Sequence, residues 1–182
     1  SVEAVSHGGA DDNQRMSLPS SPPPATDASA ADGALALAHT GVIRAAGADA
    51  AAFLHGQLTN DFTGLGLGDA RLAAYCSPKG RMLAAFVGFK HAHDELWLAC
   101  RREVLPATLK RLRMFVLRSK AALSEADNVA LLGLAGRSVA ERLEGAAGLA
   151  VWKKLDLDGG AHLVRLPDAA GRPRWLWAGP SV

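Results

Sequence analysis

Three apolar runs, Arg71 to Cys76, Arg81 to Lys90 and Glu95 to Cys100, follow one another with only Ser77-Pro78-Lys79-Gly80 and His91-Ala92-His93-Asp94 between them. A parallel return needs a crossover of a dozen or more residues, so links this short force neighbouring runs to pair antiparallel. No other stretch of the chain leaves so little choice of topology.

The flanking segments extend this unit. Ala34 to His39 and Val42 to Ala46 read as two short strands around Thr40-Gly41. Gly47 breaks the run, and Asp49 is placed to cap a helix over 50–55, with Gly56 as its stop. Leu105, Leu109, Leu112 and Val116 recur at helical spacing and predict a second helix from Glu103 to Phe115. Pro106 is tolerated there because first-turn N–H groups lack intrahelical partners. Val116 to Ser124 then returns as a strand. The fold expected over 34–124 is α+β: an antiparallel sheet with its two helices packed on one side. After Glu125-Ala126-Asp127-Asn128 a second, incomplete α/β unit is expected over 129–182, with strands at 129–134, 162–166 and 174–177 and a helix opening at Gly136-Arg137-Ser138. Residues 1–33, rich in Ser, Pro, Ala, Asp and Gly, offer almost nothing large to bury and are expected to be a disordered tail.

Charge and cysteine content narrow the function. Twenty basic against 18 acidic residues give a net charge of +2, which excludes a strong global attraction to nucleic acid or anionic lipid. Cys76 and Cys100 lie far apart, without disulfide-framework or metal-ligand spacing. That usage fits a reducing, cytoplasmic compartment. No apolar run approaches the ~18 residues that a membrane span requires, so no membrane partner is expected.

Gly47-Ala48-Asp49, Phe53-Leu54-His55-Gly56-Gln57-Leu58-Thr59-Asn60-Asp61 and Tyr75-Cys76-Ser77-Pro78-Lys79-Gly80-Arg81 occur in this order. In these motifs the sequence resembles YgfZ-type proteins of the aminomethyltransferase-like family, over roughly 34–177. The resemblance implies the fold of the glycine-cleavage T-protein and tetrahydrofolate as cofactor. It also implies support of iron–sulfur cluster assembly or repair, with iron–sulfur proteins as clients, and a link to tRNA modification. Two departures separate this chain from that family. The cysteine-bearing K-G-C-[YF]-x-G-Q-E segment does not occur in these 182 residues, and neither cysteine sits in such a context. Where the T-protein carries paired aspartates after the hairpin, this chain has Leu83 and Ala84. Side chains without an ionisable oxygen cannot stabilise a developing positive charge, so aminomethyl transfer is disfavoured and no catalytic residue is assigned.

Folate presents a flat pterin and an anionic glutamate tail, which call for apolar walls, a few placed polar groups and cations. The candidates are Asn60 and Asp61 after the first helix, Arg71 and Tyr75 on one strand face, and Lys79 and Arg81 at the hairpin tip. Each has a plain structural alternative. Asn60-Asp61 suits an Asx turn, Tyr75 a core position, and Lys79 and Arg81 a solvated turn. His91, His93 and Asp94 read as surface turn residues rather than metal ligands, and Trp175 and Trp177 as packing residues sharing a strand face. A second functional reading is an RNA-binding module using Arg101, Arg102, Lys110, Arg111, Arg113, Arg118 and Lys120 within 101–120.

Overall fold

The computed structural model describes residues 32–181. The element order is β1 (Gly33–Ala36), β2 (Thr40–Ala46), α1 (Ala50–Gln57), β3 (Ala70–Cys76), β4 (Met82–Ala92) and β5 (Glu95–Arg101). It continues with α2 (Leu105–Arg113), β6 (Ala122–Glu125), β7 (Val129–Ala135), α3 (Arg137–Arg142), β8 (Lys154–Leu157), β9 (Ala161–Ala169) and β10 (Arg172–Pro180). The expected disordered tail falls outside the described residues except for Asp32, whose carboxylate accepts from the Ser138 hydroxyl, and Gly33, where β1 begins.

Two five-stranded sheets result, ordered β3-β4-β5-β2-β6 and β1-β7-β10-β9-β8. Every pairing is antiparallel, as the short turns of the first sheet require. Strand β5 shows how the layers stack. Leu96, Leu98 and Cys100 face a core shared with Phe53 and Leu54 of α1 and Leu105, Leu109 and Leu112 of α2. Trp97 and Ala99, on the opposite face by two-residue alternation, meet Leu131, Val164, Leu176 and Ala178 of the second sheet. Both helices therefore cover one side of the first sheet, and the second sheet covers the other. Beyond the second sheet, Leu134, Leu163 and Trp175 pack against Val139 of α3 and Ala146. None of the helices among the described residues is long and apolar enough to cross a membrane.

Several local expectations need correction. The segment after Val129 is not a separate unit beside the first: β1, from the start of the described chain, pairs with β7 in the second sheet, and the two sheets share a buried face. That second sheet is an antiparallel meander through β8, β9 and β10 rather than an α/β alternation. The strand expected over 116–124 is ordered as strand only from Ala122, because Lys120 is tied elsewhere: its N–H donates to Asp49 Oδ2 at 2.7 Å and its carbonyl accepts from Asp49 N at 3.2 Å. Asp49 thus makes no side-chain cap to α1. Gly56 lies within α1 instead of ending it.

Candidate functional site

Strand β3 is an edge of the first sheet, and the chain leaving α1 runs along it. Leu58 bridges to Tyr75. Thr59 N–H donates to the Ala74 carbonyl at 3.0 Å, and the Thr59 hydroxyl accepts from Ala74 N–H at 2.9 Å. Asn60 Nδ2 then donates to the Leu72 carbonyl at 3.1 Å. Three successive residues are thereby pinned to the strand, and this fixes the Asn60 side chain beside Arg71. Arg71 Nη1 donates to Asn60 Oδ1 at 3.5 Å, a long contact that leaves most of the guanidinium's donors unused among the described residues.

The other wall comes from the second half of the chain. Ala70 N–H donates to the Trp152 carbonyl at 2.8 Å, and Lys154 N–H donates to the Gly68 carbonyl at 2.8 Å. These two bonds hold residues 151–153 against the start of β3. Trp152 adopts φ 64°, a left-handed conformation rare for a bulky side chain and held only where surroundings over-determine it. Asn60, Asp69, Ala70, Arg71, Leu72, Val151, Trp152 and Lys153 together line an open groove of about 660 Å³. Lys153 Nζ pairs with Asp69 Oδ1, and this hydrogen bond holds the Asp69 carboxyl below its ordinary range against the opposing effect of burial. The groove thus combines apolar surface from Trp152, Val151 and Leu72 with two cations, one amide and the Asp69 carboxylate that pairs with Lys153.

Of the residues singled out from the sequence, the structure brings Asn60 and Arg71 together and separates the rest. Asp61 forms an Asx turn: its Oδ1 accepts from Thr63 N–H at 2.8 Å, Thr63 Oγ1 at 2.6 Å and Gly64 N–H at 3.3 Å. Those bonds, Thr63 first, hold its carboxyl below the usual range. Tyr75 shares a strand face with Arg71 but is buried in the helix-side core, where its hydroxyl accepts from Arg111 Nε at 3.1 Å. Lys79 and Arg81 are exposed at the hairpin and do not line the groove. Asp69, Trp152 and Lys153 were missed. Their only local signal is the lone carboxylate after a glycine-rich turn and the Trp-Lys pair in an otherwise small-residue loop.

Three other features bear on chemistry. Ala84 is buried opposite Tyr75, and Leu83 packs beside α2 in a hollow of about 530 Å³ with Val104, Ala107, Thr108 and Met114. No ionisable oxygen stands at either position. Four of the seven basic residues of 101–120 have side-chain partners among the described residues, Arg101 pairing with the exposed Glu103. Arg102 pairs with Glu125 and with backbone carbonyls, Arg111 with Tyr75, and Arg113 Nε with the Leu123 carbonyl at 2.9 Å. Among the described residues no group of three or more His, Cys, Asp or Glu side chains is placed to hold a metal ion.

No protein-family model matches the sequence. The fold is that of the aminomethyltransferase T class: the solved glycine cleavage system aminomethyltransferase T from Bartonella henselae superposes with a TM-score of 0.71 at 18% identity, over 82% of this chain and 42% of that one. Sequence comparison narrows this. The tRNA-modifying protein YgfZ of Sodalis glossinidius is 36% identical over 122 residues, covering 67% of this chain and 35% of the relative. The protein of the same name from Photorhabdus laumondii subsp. laumondii is 33% identical over 103 residues, covering 57% and 31%. Over the matched residues the chain is thus YgfZ-type in sequence on an aminomethyltransferase T-type fold, and it spans about a third of the length of these relatives.

Proposed function

We propose that this chain is the folate-binding part of a YgfZ-type protein that serves tRNA modification by supporting the assembly or repair of iron–sulfur proteins in the cytoplasm, without transferring an aminomethyl group itself. The observation that carries the folate reading is the groove at the β3 edge. A flat apolar wall at Trp152 suits the pterin and aminobenzoyl rings, Asn60 can bond a ring polar group, and Arg71 and Lys153 suit the glutamate carboxylates. The tRNA link is supported by the names of the relatives, tRNA-modifying proteins, and the iron–sulfur role by the family resemblance. Leu83 and Ala84 argue against aminomethyl transfer, because nothing there stabilises a developing iminium charge.

Isothermal titration of the chain with tetrahydrofolate and its polyglutamate tests this reading. Saturable binding is expected, tighter for the polyglutamate, and Arg71→Ala should weaken it by about 1.5–3 kcal/mol through loss of a charge-assisted hydrogen bond. Equal affinities for the wild type and Arg71→Ala would remove Arg71 from the site. A steeply salt-dependent affinity for tRNA with no folate binding would favour the RNA-binding reading instead.

A further inference from the structure

A pair of imidazole rings bridges the two sheets. His91, near the end of β4, belongs to the first sheet, and its Nδ1 lies 2.7 Å from Nε2 of His162, on β9 of the second. His91 stacks on Trp97 with ring centroids 4.3 Å apart and planes at 5°. His162 is 3% exposed and lies edge-on to Phe89 and Trp97. Its Nδ1 is 2.7 Å from Asp156 Oδ1 on β8. Packing on both rings therefore holds the two facing nitrogens against each other.

At 2.7 Å the two nitrogens are hydrogen-bonded, which requires one N–H and one lone pair. The requirement is the same whichever ring donates. Two neutral rings satisfy it, and so do one neutral ring and one imidazolium. Two imidazolium rings cannot, because every ring nitrogen then carries a hydrogen and two like-charged donors face each other. The closed contact has room for one added proton, whereas two separated histidines in water bind two, each near pH 6.5.

The charged groups around the pair do not lift this limit. On β8, Asp156 favours a cation at His162, but the wholly buried Lys154 ammonium bonds the same oxygen and stands 3.5 Å from His162 Nδ1. Burial first, and the Lys154 and His91 charges after it, lower the His162 pKa against the pull of Asp156. Strand β10 sets only Ala178 opposite His162. On the His91 side, Glu95 of β5 is held by Arg44 of β2 at 2.5 Å, and Glu125 of β6 by Arg102 at 3.3 Å. His93 and Asp94, in the turn after β4, are exposed. We propose that the His91–His162 contact is a proton-operated latch between the two sheets, closed while the facing nitrogens share one hydrogen and opened when both rings are protonated. Opening separates the β4–β5 hairpin end from the β8–β9 hairpin end. The core under α1 and α2, whose buried side chains include no histidine, stays shut. Because the open form binds one proton more, its population rises up to about tenfold per pH unit below about 6.5.

The test is hydrogen–deuterium exchange of the full chain at pH 7.5 and 5.5, corrected for the intrinsic pH dependence of exchange. Protection over 87–98 and 154–164 should fall about tenfold on acidification, while α1 and α2 change by less than about twofold. His91→Phe keeps a ring against Trp97 but has no nitrogen. It leaves the burial of His162 alone to act, and the fall should shrink to about threefold or less. A long-range ¹H–¹⁵N spectrum of the histidine-labelled wild type checks the same point without a variant. The second imidazolium should appear only as the Trp97 indole resonance loses its ring-current shift from His91. Two imidazolium rings with that stack intact, unchanged protection at pH 5.5, an equal fall in His91→Phe, or an equal loss across both helices would each overturn the proposal. The residues lining the folate groove lie outside both segments, so none of these outcomes bears on folate binding.

Discussion

Gly47 opens the Gly47-Ala48-Asp49 turn, and the structure gives a quantitative reason for glycine there. Its φ is +125°, and a Cβ at that position would stand 2.1 Å from the Lys120 carbonyl oxygen and 3.0 Å from its carbon. Both obstacles are backbone, so no side-chain rotation relieves them. The surrounding turn is also held firmly: Gly47 N–H donates to the Asp94 carbonyl at 2.8 Å, and Asp49 bonds Lys120 through both backbone and carboxylate. For Gly47→Ala, an unfavourable backbone conformation costs on the order of 1–3 kcal/mol. Displacing the 120–121 segment adds a similar amount, as overpacking does in a core (roughly 1–3 kcal/mol). The sum, about 2–6 kcal/mol, should lower Tm by on the order of 4–24 °C in a domain of this size. Gly56→Ala is the matched control: it sits inside α1 with nothing within 4 Å of a new Cβ, and removing a helical glycine should stabilise by about 0.5–1 kcal/mol. Urea unfolding of the three proteins gives both numbers. A Gly47→Ala loss below about 1 kcal/mol would refute the close docking of this turn on Lys120.

Two further outcomes follow from the titrating groups. Because burial lowers the His162 pKa below its ordinary 6.5, the unfolded chain binds more protons than the folded one below that pH. Stability should therefore be fully present above about pH 6.5 and fall beneath it, by at most about 1.4 kcal/mol per pH unit until the folded pKa is reached, and His162→Phe should flatten the profile between pH 7 and 5.5. Urea midpoints that do not change over this range in the wild type would contradict it. Burial, and then the nearby Glu125 charge, pushes the Cys100 thiol up to about 11, so in the folded protein at pH 8 a thiol-specific reagent should label the half-exposed Cys76 and spare Cys100. Mass spectrometry of the labelled peptides reads this directly, and equal labelling would contradict the buried placement of Cys100.

What the sequence made legible was whatever short-range spacing decides. The β3–β4–β5 meander followed from connections too short for a crossover, and α2 from Leu105, Leu109 and Leu112 on one helical face. The continuous apolar run of β5 matches its burial on both faces, between the helices and the second sheet. The partner of β1 was hidden because a strand's sequence carries no address, and β7 lies far along the chain. Asp49 misled for a related reason: an aspartate before a helix suits capping, but a bond to the distant Lys120 N–H competes for the same carboxylate and wins. Of the candidates, Asn60, named by a motif, and Arg71, exposed by strand alternation, do line one groove. Trp152 and Lys153 were not among them, since only backbone bonds from Ala70 and Gly68 bring that loop to the groove. His91 looked like a turn residue because His162, its partner, is 71 positions away.

The central claim is the location of the folate site at the β3 edge, and hydrogen–deuterium exchange with and without tetrahydrofolate polyglutamate tests it most directly. Backbone amides exchange through local opening, so a ligand seated in the groove should slow exchange at its lining. The account predicts added protection at Thr59 to Asp61, Asp69 to Leu72 and Val151 to Lys153, lost in Arg71→Ala at the same ligand concentration. Protection confined instead to Leu83 and the 103–114 segment, with the groove unchanged, would place folate in the hollow beside α2 and contradict the account.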